Sequence, residues 1–191
     1  MTANPSEPHI GLVVEGQGDA AAVPVLLRLW LRELGEYRDI LGKPISCNGR
    51  DKALARRGLE GFVGAAAARP GCKAVLVVLD GEGDPVCQLG PRLLRRAKTV
   101  TPLHVCICLA EQKFEDWIYA SAETLELGLQ YDSNKQGSGS IVQALRPSTY
   151  AKPTWQPRLT ARMDVKLAES RSISLTRLSV EFERLLGFID S

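Results

Sequence analysis

Three stretches of the chain place carboxylates directly after apolar runs. Glu15 follows His9 to Val14 (HIGLVV), Asp80, Glu82 and Asp84 follow Lys73 to Leu79 (KAVLVVL), and Glu111 and Glu115 follow Leu103 to Leu109 (LHVCICL). Four to six carboxylates gathered in one crevice repel one another unless a divalent cation neutralises them, and oxygen-only ligands suit Mg²⁺ or Mn²⁺. Two such cations about 4 Å apart would activate water and stabilise the leaving oxygen of a phosphodiester; a single cation fits polymerising or strand-transfer chemistry less decisively. Each loop also has a plainer reading. Glu15 and Asp19 could serve only to cap the following helix, and the Asp80 group could be a solvated, glycine-rich turn. Repetition at three strand ends favours the site. Gly16 and Gly18 resemble a phosphate-binding turn, but neither GxGxxG nor GxxxxGKS is present.

The apolar, β-branched runs that precede these acids have the character of buried parallel strands. After Glu15, the residues Val23, Leu26, Leu27, Trp30 and Leu34 fall at helical spacing, with Asp19 placed to cap and Pro24 confined to the first turns or a kink. Pro44 to Cys47 is a second strand candidate, Asp51 to Arg69 reads as one helix, and Pro91 to Lys98 as another with proline in its first turn. A helix is expected from about Lys113 to Leu127, then a flexible loop at about 132–140, then irregular structure over Thr149 to Pro157. Leu159 to Ser172 is ambiguous, and Ser174 to Leu186 reads as an amphipathic closing helix. This alternation predicts an α/β fold, a mainly parallel sheet with helices on both faces, whose crevice lies beyond the carboxyl ends of the strands.

With 191 residues, 45% hydrophobic and 24% charged, the chain has the proportions of one globular domain and not of a disordered, collagenous or coiled-coil protein. Lys plus Arg number 24 against 22 Asp plus Glu, so any polyanion must meet a local patch. Two basic groups qualify: Arg50, Lys52, Arg56 and Arg57, and Arg92, Arg95, Arg96 and Lys98. Basic residues along an amphipathic helix also mark its solvated face. No apolar run approaches the roughly 20 residues that cross a bilayer, and Met1 to His9 lacks a signal-peptide layout; a cytoplasmic location without membrane partners is expected. The five cysteines show no CxxC spacing and read as reduced, buried apolar residues, Cys106 and Cys108 included, and two histidines give a zinc site little support. Trp30 and Trp117 read as core anchors, and Lys113 as an ion-pair partner on its own helix.

Glu15 after one apolar strand and the pair Asp80 and Glu82 after another resemble the TOPRIM signature of topoisomerases, primases and overcoming-lysogenization-defect nucleases, with DxE in place of the usual DxD. The chain is more closely similar to the bacterial domain-of-unknown-function 4276 family, TOPRIM-like proteins that share VEGxGDxxAVPVLL, here Val14 to Leu27, a strand ending in an acidic turn, here Val75 to Asp84, and an ExxxExW-type segment, here Glu111 to Trp117. The likeness continues through Tyr150, Lys152, Asp164 and Ser172 into the closing helix. It implies Mg²⁺- or Mn²⁺-dependent chemistry at a nucleic-acid phosphodiester, with Glu15, Asp80 and Glu82 on the cation and Asp84, Glu111 or Glu115 contributing directly, through water or to a second cation. It implies, as an alternative role for Glu15, a general acid or base, and further Lys152 as the cation that offsets transition-state charge and an ATPase partner in defence against mobile DNA. Tyr150 could stack on a base. Two other readings stay open: a non-catalytic TOPRIM-fold module that partners an ATPase, and a small-molecule phosphotransferase or phosphohydrolase.

Overall fold

In the computed structural model, residues 7–190 are described. Residues 1–6 of the polar N-terminal stretch lie outside them. Four strands, β1 (His9–Val14), β2 (Ile45–Ser46), β3 (Cys72–Asp80) and β4 (His104–Ala110), form one parallel sheet in the order β2-β1-β3-β4. Nine α-helices lie among the described residues: α1 (Gln17–Glu33), α2 (Arg50–Leu54), α3 (Gly58–Ala67), α4 (Val86–Ala97), α5 (Phe114–Tyr119), α6 (Gly137–Ala144), α7 (Lys152–Thr160), α8 (Val165–Arg171) and α9 (Ile173–Leu186).

The near-continuous apolar strands are explained by two cores, because alternate residues of a strand point to opposite faces. Leu12, Val14, Leu76, Val78, Cys106 and Cys108 join Leu26 and Trp30 of α1, Trp117 of α5 and Phe182 of α9 on one side. Val13, Val75, Val77, Leu79, Ile107 and Leu109 join Leu59 and Val63 of α3 and Leu93 of α4 on the other. The sheet is therefore covered on both faces, as the α/β pattern predicts. Register then fixes the site. Val14 pairs with Val78 and Asp80 with Ala110, so the three acidic connections leave the sheet at nearly the same level.

Several element boundaries differ from expectation for local reasons. The helix expected over Asp51 to Arg69 is two helices, separated where Arg57 takes φ +60° and where Gly58 passes so near the Lys52 carbonyl that a Cβ would lie 1.9 Å from it. The α4 helix begins at Val86, capped by Pro85, and so contains Pro91 instead of starting at it. The helix expected to Leu127 stops at Tyr119 and continues as a 3₁₀ turn, Ala122–Thr124. The polar stretch expected as a loop becomes helical at Gly137, whose N–H donates to Asp116 Oδ1 at 2.6 Å. Thr149 to Pro157, expected to be irregular, supplies most of α7: Pro153 sits in the first turn, where its missing N–H is not needed. The closing helix α9 matches expectation, with Ser172 as its cap.

Candidate functional site

Each acidic connection delivers one buried or half-buried carboxylate to the same end of the sheet. Glu15 leaves β1 and its Oε2 accepts the Asp80 N–H at 3.1 Å. Asp80 closes β3, and its Oδ1 accepts the Phe114 N–H at 2.8 Å, which ties it to the start of α5. The next residue, Glu115, is fully buried; its Oε1 accepts the Tyr150 hydroxyl at 3.0 Å and lies 3.2 Å from Lys152 Nζ, while its Oε2 has no partner.

A fourth carboxylate belongs to this group and escapes a reading of Asp19 as a cap alone. Its Oδ2 does accept the Gly16 N–H at 2.9 Å, but its Oδ1 faces the buried Gln156, whose Nε2 donates at 3.4 Å. Lys152 and Gln156 are one helical turn apart on α7, and Gly18 is what lets that helix close on the loop. A Cβ at Gly18 would meet Gln156 Oε1 at 1.9 Å and Lys152 Cβ at 2.8 Å. The glycine loop that looks like a phosphate cradle thus serves as a seat for α7. Gln156 could have been found from the sequence at i+4 from Lys152 only if this proline-containing segment had been read as a helix.

The charges feel one another. Burial, reinforced by Glu15 and Asp19, pushes the Asp80 carboxyl up to about 8. Burial also raises Glu15, with Asp19 and Glu82 adding to the effect, and raises Asp19, with Glu115 adding. Burial opposes the charge on Lys152, yet Glu115, Asp80 and Asp19 outweigh it and hold the ammonium above the ordinary lysine value. Burial and the Glu115 carboxylate keep the Tyr150 hydroxyl protonated. One ammonium therefore stands against four carboxylates, and burial together with the neighbouring negative charge raises the proton affinity of Asp80.

The other expected ligands are exposed and not buried with this group. Glu82 and Asp84 are exposed on the turn after β3 and pair with Arg50, Glu82 at 3.7 Å and Asp84 in close contact. The same guanidinium donates to the Asp80 and Gly81 carbonyls, both at 3.1 Å, so Arg50 clips the acidic turn in place. Glu111 is exposed, and its carbonyl accepts the Gly83 N–H at 3.2 Å. Of the basic residues, Arg96 is bound to Glu60 and to the Leu54 and Ala55 carbonyls, tying α4 to the α2–α3 junction. Lys52, Arg56, Arg92 and Arg95 have exposed side chains. Trp30 and Trp117 are core residues as expected, as are Cys47, Cys106 and Cys108, whereas Cys87 is exposed.

Comparison of the chain with protein-family models, with curated proteins and with solved structures finds no match. No helix among the described residues is long and apolar enough to cross a membrane.

Among the described residues no three His, Cys, Asp or Glu side chains stand in an arrangement that could hold a metal ion. The donor chemistry nevertheless suits a hard cation. Every candidate ligand is a carboxylate oxygen, and Glu115 Oε2 is buried without a partner.

Proposed function

We propose that this chain is a TOPRIM-like, Mg²⁺- or Mn²⁺-dependent nuclease acting on nucleic-acid phosphodiesters. The observation that carries the reading is the convergence of Glu15, Asp80 and Glu115, from three separate strand ends, with Lys152 in the same crevice. Glu15 and Asp80 would hold the cation, with Asp19, whose charge acts on both, a further oxygen donor; when bound it would supply Lewis-acid activation of water and charge neutralisation at the phosphodiester. Lys152 carries the positive charge suited to the developing oxyanion, and Glu115 with Tyr150 positions that ammonium. Alternatively, with the cation held by the other carboxylates, Glu15, whose carboxyl is lifted by burial, would exchange a proton with the attacking or leaving oxygen. The same reading includes a cytoplasmic protein that meets nucleic acid and works beside an ATPase.

One observation favours a second reading. Arg50 neutralises Glu82 and Asp84, and Lys152 already compensates Glu115, so the fold balances part of its own acidic charge. A non-catalytic TOPRIM-fold module that partners an ATPase would need no more than this.

Incubation of purified protein with plasmid and single-stranded DNA in Mn²⁺, Mg²⁺ or EDTA separates the two, with Glu15→Ala and Asp80→Ala alongside. Cleavage that needs the cation and is lost in both variants supports the nuclease. Cleavage that survives both variants is contamination, and no cleavage together with stable capture of an ATPase selects the module.

A further inference from the structure

Beside the carboxylates lies a cleft of about 290 Å³ that the proposed chemistry does not use, bordered by Gln112, Trp117, Tyr131, Asn134, Gln136 and Arg171. Its volume is near the lower end of the roughly 300–1,000 Å³ of small-molecule pockets, room for one nucleoside and not for a duplex. The lining is unusual for an anion site. Glu111 and Asp116 offset Lys135 and Arg171, so the cleft has no surplus of positive charge for a phosphate.

What it does offer is carboxamide surface. The side-chain amides of Gln112 and Gln136 make no hydrogen bond among the described residues, and each presents a donor and an acceptor side by side, the pattern that reads the edge of a base. Tyr131 is covered by the Arg171 guanidinium, 4.7 Å from its ring centre, and packs on the Tyr119 ring at 5.6 Å, and Arg171 is itself fixed by Glu123 at 2.7 Å and the Ala120 carbonyl at 3.0 Å. Trp117 lies behind the wall, 1% exposed, its Nε1 committed to Ser174 Oγ at 2.8 Å. The rings form a fixed backing, and the carboxamides are what the cleft presents.

The cleft and the acidic crevice share structure. The Gln112 and Glu111 carbonyls accept the Glu82 and Gly83 N–H groups at 2.9 and 3.2 Å, and Glu115 immediately precedes two lining residues, Asp116 and Trp117. We propose that this cleft is a nucleobase subsite, which accepts one unstacked base of a single strand while its phosphodiester runs toward Glu15, Asp80 and Lys152. The proposal rests on the nucleic-acid reading above and narrows it to single-stranded or locally opened substrate.

The test is binding in EDTA, where neither cation nor cleavage enters, so that base recognition and nuclease activity can fail separately. Fluorescence anisotropy of the full-length chain would compare a short oligodeoxyadenylate, the same backbone with abasic residues, and a duplex; adenosine monophosphate and ribose 5-phosphate would serve as competitors. A bidentate amide contact to a base edge is worth about tenfold or more. The expected result is at least a tenfold preference for the base-bearing single strand over both the abasic strand and the duplex. Gln112→Leu and Gln136→Leu, of similar size and on the surface, should each remove most of that preference with an unchanged urea midpoint. Equal binding of the abasic strand, equal binding of duplex, no binding of any of them, or variants that keep the full preference would overturn the subsite. Asp80→Ala protein that is inactive yet still discriminates the base would uphold it independently of catalysis.

Discussion

Asp80→Asn should make the protein more stable in alkaline solution, although it removes a residue at the centre of the proposed site. The carboxyl is 4% exposed and is carried from its ordinary value of 3.8 to about 8. Below 3.8 it holds a proton in both the folded and unfolded chain. Between 3.8 and 8 the folded chain keeps a proton that the unfolded chain releases, so stability falls as pH rises through this window and levels off above it. At about 1.4 kcal/mol for each pH unit, the ionised form costs the fold at most about 6 kcal/mol. Asparagine keeps the oxygen that accepts the Phe114 N–H and has no charge to desolvate. The expected gain over wild type at pH 9 is about 3–5 kcal/mol, a large part of a typical folding free energy, while at pH 4 the two proteins should agree within about 1 kcal/mol. Urea unfolding followed by tryptophan fluorescence, in EDTA and across this pH range, measures the difference. A gap between the two proteins that does not widen from pH 4 to pH 9 would refute the argument that burial and neighbouring carboxylates penalise Asp80. Repeating the titration in Mn²⁺ links stability to the proposed function: wild type should gain stability through ligand binding and the variant should not.

Other substitutions probe how the site is held. Gly18→Ala drives a methyl into Gln156 and Lys152 and should destabilise by about 1–3 kcal/mol, with increased hydrogen exchange in α7; an unchanged urea midpoint would show that α7 yields freely. Lys152→Met leaves Glu115 buried without its cation and should cost about 1–3 kcal/mol, most of it restored by adding Glu115→Gln, in a double-mutant cycle that reads the pair directly. Arg50→Ala unclips Glu82 and Asp84 from the carbonyls of Asp80 and Gly81 and should cost about 1–3 kcal/mol, with faster proteolysis of the turn; a protected turn in that variant would mean that the backbone bonds from Gly83 and Glu82 suffice.

Much of the fold is written in the order of residues. The three apolar runs are strands because a sheet covered on both faces needs apolar residues at successive positions, and their period-two division into two cores is visible in the coordinates residue by residue. The placement of Glu15, Asp80 and Glu115 at strand ends follows from the same runs, and parallel pairing brings those ends together.

Tertiary structure decided what surrounds each acid. Glu82, Asp84 and Glu115 are alike in the sequence, each a carboxylate shortly after a strand. Yet the first two meet Arg50 at the surface, while the third is sealed beneath Tyr150 and Lys152, at the entry to α7 about 35 residues away. Asp19 became a member of the cluster, and Gln156 its partner, only when α7 packed on Gly18. Strand position is set by local apolar pattern, which a sequence carries openly. Burial and charge pairing are set by segments that meet only after folding, and it is these that determine which carboxylate holds a proton, which holds an ammonium and which faces water.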